Sequence, residues 1–127
     1  MARKRSTTLT EAELRLMDVL WQKGSATVAE VTAALPPPPI AYNSVLTTMR
    51  ILEQKGYVDH EEAGRAFVYR PIVEREAAAQ NAVGHVLSRF FDNSAGELAL
   101  RLIENEKPSR DELSRLKALI EQYEEGQ

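Results

Sequence analysis

Four capping boxes divide this chain before any other feature needs to be considered. A capping box pairs Ser or Thr with Glu or Gln three residues later, and each side chain satisfies an orphan amide donor at a helix start. The pattern occurs at Thr10/Glu13, Thr27/Glu30, Ser94/Glu97 and Ser109/Glu112. The chain is therefore expected to be mainly helical, with at least four helix starts fixed locally. Gly24 and Gly56 read as helix stops, because glycine enters the left-handed conformation of a C-cap without a Cβ penalty.

Between these signals the apolar spacing fills in the elements. Helix one is expected at about 11–23, with a stripe of Leu14, Met17, Leu20 and Trp21, and with Leu9 and Leu14 placed as a hydrophobic staple. Helix two covers about 28–35, with Val28, Val31 and Leu35 inward. Pro36, Pro37, Pro38 and Pro39 then form a stiff extended turn, since none of them can continue a helix or donate a backbone hydrogen bond. The turn reads either as a plain connector or as a proline-rich docking ligand, and connectors of this size are the more common case. Helix three covers about 43–55. Strands follow at about 57–62 and 66–70, joined through Ala63, Gly64 and Arg65. The rest reads as helices at about 73–91, 95–105 and 110–125.

Three helices followed by a hairpin is the element order of a winged helix, in which helices two and three form a helix-turn-helix and the hairpin forms the wing. The expected fold is thus mainly α with a small β-hairpin. A winged helix-turn-helix domain covers residues 1–71, and a helical dimerisation domain covers 72–127. A segment of about 56 residues is marginal as a free-standing fold. Its candidate dimerisation residues are Leu87, Phe90, Phe91, Leu98, Leu102, Ile103, Leu113, Leu116, Ile120 and Tyr123. They form either an internal core or, as we expect, the seam with a second copy of the chain.

Helix three carries the candidate site. On a wheel of about 100° per residue, Val45, Met49 and Leu52 share one face, and Asn43, Thr47, Arg50 and Gln54 share the opposite one. That second face holds amides, a hydroxyl and a guanidinium, with no acid. Asn and Gln can bond an adenine edge twice, Arg can bond guanine twice, and Thr offers a hydroxyl and a methyl group. The bland alternative is an ordinary solvated face. The position immediately before a wing favours DNA. Arg65 at the wing tip, the Arg3, Lys4 and Arg5 arm, and the amide donors at the Thr27 helix start are candidate phosphate contacts.

Charge sharpens this picture. The chain carries 16 Lys+Arg and 19 Asp+Glu, a formal net charge of −3. Residues 1–71 hold 9 basic and 8 acidic side chains, net +1, and residues 72–127 hold 7 and 11, net −4. The acidity belongs to the half that need not touch phosphate. With no Cys there is no disulfide, thiol nucleophile or cysteine metal site. The two histidines, His60 on a strand surface and His85 on a packed helix face, lie in separate elements, and no phosphate loop or metal-ligand spacing is present. An enzyme, a cofactor and a bound metal are not expected. Nor is a membrane span or signal peptide, because the longest apolar run is Ala66 to Tyr69. We expect a cytoplasmic protein.

The run Gly64-Arg65-Ala66-Phe67-Val68-Tyr69-Arg70-Pro71 resembles the wing strand of the BlaI/MecI family of penicillinase repressors. Leu9-Thr10-Glu11-Ala12-Glu13, the Met17 and Trp21 pair, Thr47, and Leu52-Glu53-Gln54-Lys55-Gly56 resemble it too, as does the tail from Leu102 to Leu113. The resemblance spans about residues 7–123. It implies a homodimer that binds inverted-repeat operators and represses resistance genes. It places the groove-reading residues at Tyr42, Asn43, Ser44 and Thr47. It also implies release when a membrane sensor-protease system cuts the dimerisation domain. The family's Asn-Phe cleavage dipeptide is Arg101-Leu102 here, and the cysteine-rich metal site of the copper-responsive relatives is missing. Ala41 stands where a capping Ser often begins helix three. The competing expectation is a winged-helix module for protein contacts without sequence-specific DNA binding.

Overall fold

A computed structural model describes residues 8–126. Arg3, Lys4 and Arg5 lie outside the described residues. The chain divides into two compact units, 1–85 and 86–127.

The first unit begins with α1 (Glu11–Lys23), β1 (Ala26–Thr27), α2 (Val28–Ala34) and α3 (Tyr42–Lys55). The hairpin of β2 (Val58–Ala63) and β3 (Ala66–Pro71) follows, and α4 (Arg75–Phe90) comes next. Thr10 and Thr27 form full capping boxes with Glu13 and Glu30. Gly24 and Gly56 end α1 and α3 with φ of 87° each, a conformation that L-residues avoid. Three strands make one antiparallel sheet in the order β1-β3-β2. β1 adds a strand that the sequence does not announce. Its two residues pair with Tyr69 and Val68 and have no strand signal of their own. The hairpin turn is Gly64-Arg65 alone, tighter than expected, with Gly64 at φ 65°. Glycine at the first position of a two-residue loop gives a turn whose twist matches the strands.

The core is built from Leu16, Met17, Val19, Leu20, Val28, Val31, Val45, Met49, Leu52, Tyr57, Val58 and Tyr69. Helix two and helix three bury the residues expected of them. Helix one does not. Leu14 is 38 % exposed, while Leu16 and Val19 are buried. The buried stripe is Glu13, Leu16, Met17 and Leu20, at the spacing of one helix face, and a charged member disguises it. Trp21 is half-buried, and its Nε1 donates to the Val73 carbonyl at 2.9 Å. Arg75 lies 4.8 Å over the same ring and 3.0 Å from Asp18. Val73, Arg75 and the buried Ala78 all pack on the first unit, so this unit continues past Pro71 into α4. The proline turn is held by Arg15, whose Nη2 donates to the Pro36 and Pro38 carbonyls at 2.6 and 2.5 Å.

The second unit holds the end of α4, then α5 (Ala95–Glu106) and α6 (Arg110–Glu125). Ser109 and Glu112 form a full capping box, and Ser94 accepts from the Glu97 amide. Neither α5 nor α6 holds a fully buried residue. An open groove of about 740 Å³ is lined by apolar residues including Leu102, Ile103, Leu116 and Leu119. Among the described residues, no helix is long and apolar enough to cross a membrane.

Candidate nucleic-acid interface

The α3 helix is amphipathic in the way its sequence requires. Val45, Met49 and Leu52 are fully buried, and Asn43, Thr47, Arg50 and Gln54 are exposed on the other side. Tyr42 and Ser44 at the helix start are exposed too. Ala41 supplies no side-chain cap, which leaves the first amides of α3 without a capping side chain. The Thr47 hydroxyl donates to the Asn43 carbonyl at 3.0 Å. Thr47 is exposed, so its hydroxyl keeps acceptor capacity open to solvent.

The wing stands beside this helix. Arg65 sits at its tip, exposed, and Arg50 and Arg65 make no ion pair among the described residues. Arg70 differs. Its guanidinium lies 2.7 Å from Asp59 and 2.9 Å from Glu61, and hydrogen bonds to these carboxylates, Asp59 first, raise its pKa further. A cation with two acidic partners is a poor phosphate ligand. Thr27 is half-buried at the α2 cap, with its amide and hydroxyl both engaged by Glu30.

Two residues join helix to wing without a sequence signal that they do so. His60, expected on a free strand surface, is half-buried, with Nδ1 2.8 Å from Oε1 of Glu53. Its ring stacks on Phe67 with centroids 4.3 Å apart. Tyr69 is buried beneath, and burial raises its pKa, helped by the nearby Glu53 carboxylate. The spacing of residues 53 and 60 carries no periodic signal, because they belong to different elements. His85 is exposed rather than packed. Among the described residues, no cluster of His, Cys, Asp or Glu could hold a metal ion.

Comparison with known proteins agrees with this geometry. A family model described as penicillinase repressor matches residues 9–122. The chain is 28 % identical to a penicillinase repressor of Bacillus licheniformis over 91 % of each chain. It is 20 % identical to the methicillin resistance regulatory protein MecI of Staphylococcus aureus, over 88 % of this chain and 92 % of that one. Among solved structures, the DNA-binding domain of the repressor BlaI matches with a TM-score of 0.52 and 29 % identity, over 59 % of this chain and 93 % of that domain. The chain belongs to the penicillinase repressor family and is a winged-helix, DNA-binding transcriptional repressor rather than an enzyme.

Proposed function

We propose that the chain represses transcription as a homodimer on an inverted-repeat operator, with one α3 helix in the major groove of each half-site. The observation that carries this reading is the α3 face itself. Asn43, Thr47, Arg50 and Gln54 are exposed opposite a stripe that is wholly buried. Tyr42 and Ser44 extend the base-reading surface. Arg65 and the arm of Arg3, Lys4 and Arg5 supply phosphate contacts, which position the protein without reading sequence, whereas Thr27 at the α2 start is already bonded to Glu30. A two-fold dimer sets its recognition helices about 34–36 Å apart, one turn of the duplex.

The second unit supports association. Phe90 is 77 % and Tyr123 68 % exposed, and no residue of α5 or α6 is fully buried. Leu102, Ile103, Leu116, Ile120 and Tyr123 line neighbouring apolar grooves, and Leu87, Phe91, Leu98 and Leu113 add further apolar side chains to this half. A second copy offers a matching surface, as isologous dimers do. The names of the relatives point to antibiotic-resistance genes as the regulated class. Release by a membrane sensor-protease system would act in this half, where the Arg101-Leu102 dipeptide is exposed on α5.

Selection of bound duplexes from a random pool, followed by binding titrations over a range of salt, tests the proposal. A two-fold symmetric consensus is expected, with affinity falling steeply as salt rises because phosphate contacts release counterions. A chain that recovers no consensus and shows no salt-dependent binding would instead be a winged-helix module for protein contacts.

A further inference from the structure

The hairpin that carries Arg65 is supported unevenly along its length. Near its base, β3 pairs with β2 on one side and, through Tyr69 and Val68, with β1 on the other. Beyond Val68 it has β2 alone, and residues 61–67 are all exposed. A two-stranded ribbon has little stability of its own. The direction of Arg65 is therefore set by the last side chain that ties the ribbon to the helices.

The side chain that does so is His60, with Phe67 against its ring. His60 Nδ1 lies 2.8 and 3.0 Å from the two carboxylate oxygens of Glu53. A carboxylate only accepts, so the ring donates from Nδ1 whether or not it carries a charge. The same ring stacks on Phe67 at 4.3 Å and 23°, and lies 5.3 Å from Tyr69. Glu53 is three residues from Arg50, hence its neighbour along α3.

We infer that His60 is a positioning residue for DNA binding. By bridging Glu53 of the recognition helix and Phe67 of the wing, it fixes the angle between the base-reading face of α3 and Arg65. The inference rests on the reading above, that helix and wing touch one duplex. Leverage makes the angle matter. Residues 60–63 extend the strand by about 10 Å, so a tilt of about 10° at His60 moves the tip by roughly 2 Å. A hydrogen bond to phosphate does not survive such a shift. The His60 and Glu53 side chains are 28 % and 35 % exposed, so their pairing contributes little to stability and mainly sets geometry.

A double-mutant cycle on the full-length chain tests this, with a duplex recovered from the random pool as probe. Arg65→Ala is expected to weaken binding about tenfold in the parent and to lower the salt slope by about one. In a His60→Ala background the same change is expected to cost about twofold or less, because the tip is already misplaced. His60→Asn, which keeps a donor near the Nδ1 position, should restore part of the coupling. A merely structural role would shift the unfolding midpoint and leave the effect of Arg65→Ala unchanged. Equal losses in both backgrounds overturn the positioning role and leave DNA binding by α3 intact. An Arg65→Ala change that is silent in the parent overturns the role of the wing as well. Repeating the cycle with Glu53→Ala, on the other side of the bridge, separates the same outcomes should a His60 variant fail to fold.

Discussion

The Nζ of Lys55 lies 2.7 Å from Oε1 of Glu13, joining the last turn of α3 to the first turn of α1. The side chains are 15 % and 6 % exposed. Oε1 also accepts the Thr10 amide at 2.9 Å, and Lys55 donates to the Thr8 carbonyl at 3.1 Å. One carboxylate thus caps α1 and receives the recognition helix. A buried charge is tolerable here because each of its polar neighbours is used.

Removing either partner should therefore be unequal. Glu13→Ala loses the reciprocal half of the cap and strands a mostly buried ammonium, and is expected to lower stability by about 3 kcal/mol. Lys55→Met leaves Glu13 bonded to the Thr10 amide and is expected to lower it by about 1–2 kcal/mol. Urea unfolding followed by circular dichroism measures both. Equal losses would mean that the cap contributes nothing beyond the ion pair.

The exposed face of α3 should carry specificity without carrying the fold. Asn43→Ala and Thr47→Ala are each expected to weaken binding to the selected duplex by about 1–3 kcal/mol, roughly fivefold to a hundredfold. The unfolding midpoint and the oligomeric state should not change. Gel-shift titration against selected and mixed-sequence duplexes separates base reading from phosphate contact. Unchanged affinity in both variants would assign base reading to another surface.

Leu116 lies on the apolar surface of the second unit and lines its groove. Leu116→Asp should convert a dimer into a monomer, measured by light scattering across a dilution series. Operator affinity should drop with it, since two linked half-sites bind with avidity that a monomer lacks. A parent chain that is already monomeric would remove the seam from the proposal.

Trp21 ties α1 to the segment after the wing by a single indole hydrogen bond to Val73. Trp21→Phe keeps an aromatic ring beneath Arg75 and removes that donor. The expected loss is about 1 kcal/mol, the net worth of one such bond. Thermal unfolding monitored by circular dichroism would read it, and no shift would mean that water replaces the indole at no cost.

Hydrogen bonds from Ser109, first its amide and then its hydroxyl, hold the Glu112 carboxyl below the ordinary range. A carboxyl whose folded pKa is depressed stabilises the fold above its unfolded value, and loses that contribution as the pH falls through the folded one. The start of α6 should accordingly loosen only in acid. In an NMR titration, Ser109→Ala is expected to move Glu112 part of the way back toward an ordinary carboxylate. An unchanged titration would exclude the hydroxyl from the cause.

Much of this molecule is legible in its sequence because its signals are local. The cap at Thr27 and the stop at Gly56 depend on a few neighbouring residues, so the helix limits agree with the structure to within about two residues. The α3 face is legible for the same reason, since one period orders Asn43, Thr47, Arg50 and Gln54. Longer-range features are not. The β1 strand exists only because β3 lies beside it. The α1 stripe is easily misread because Glu13 looks solvent-facing until Lys55, distant in sequence, is placed against it. The His60–Glu53 bridge joins two elements and has no sequence period to reveal it.

The Asp59–Arg70–Glu61 cluster has a kinetic consequence. An arginine already neutralised by two acids displaces few condensed ions from a duplex, so Arg70 is expected to add little to the hold on arbitrary DNA, which leaves that task on the wing to Arg65. A repressor with few free cations is expected to spend less time sliding on unrelated stretches of DNA and more time in free diffusion between them. Its occupancy then depends less on how strongly it is drawn to the polymer than on how long it stays once the matching bases are found.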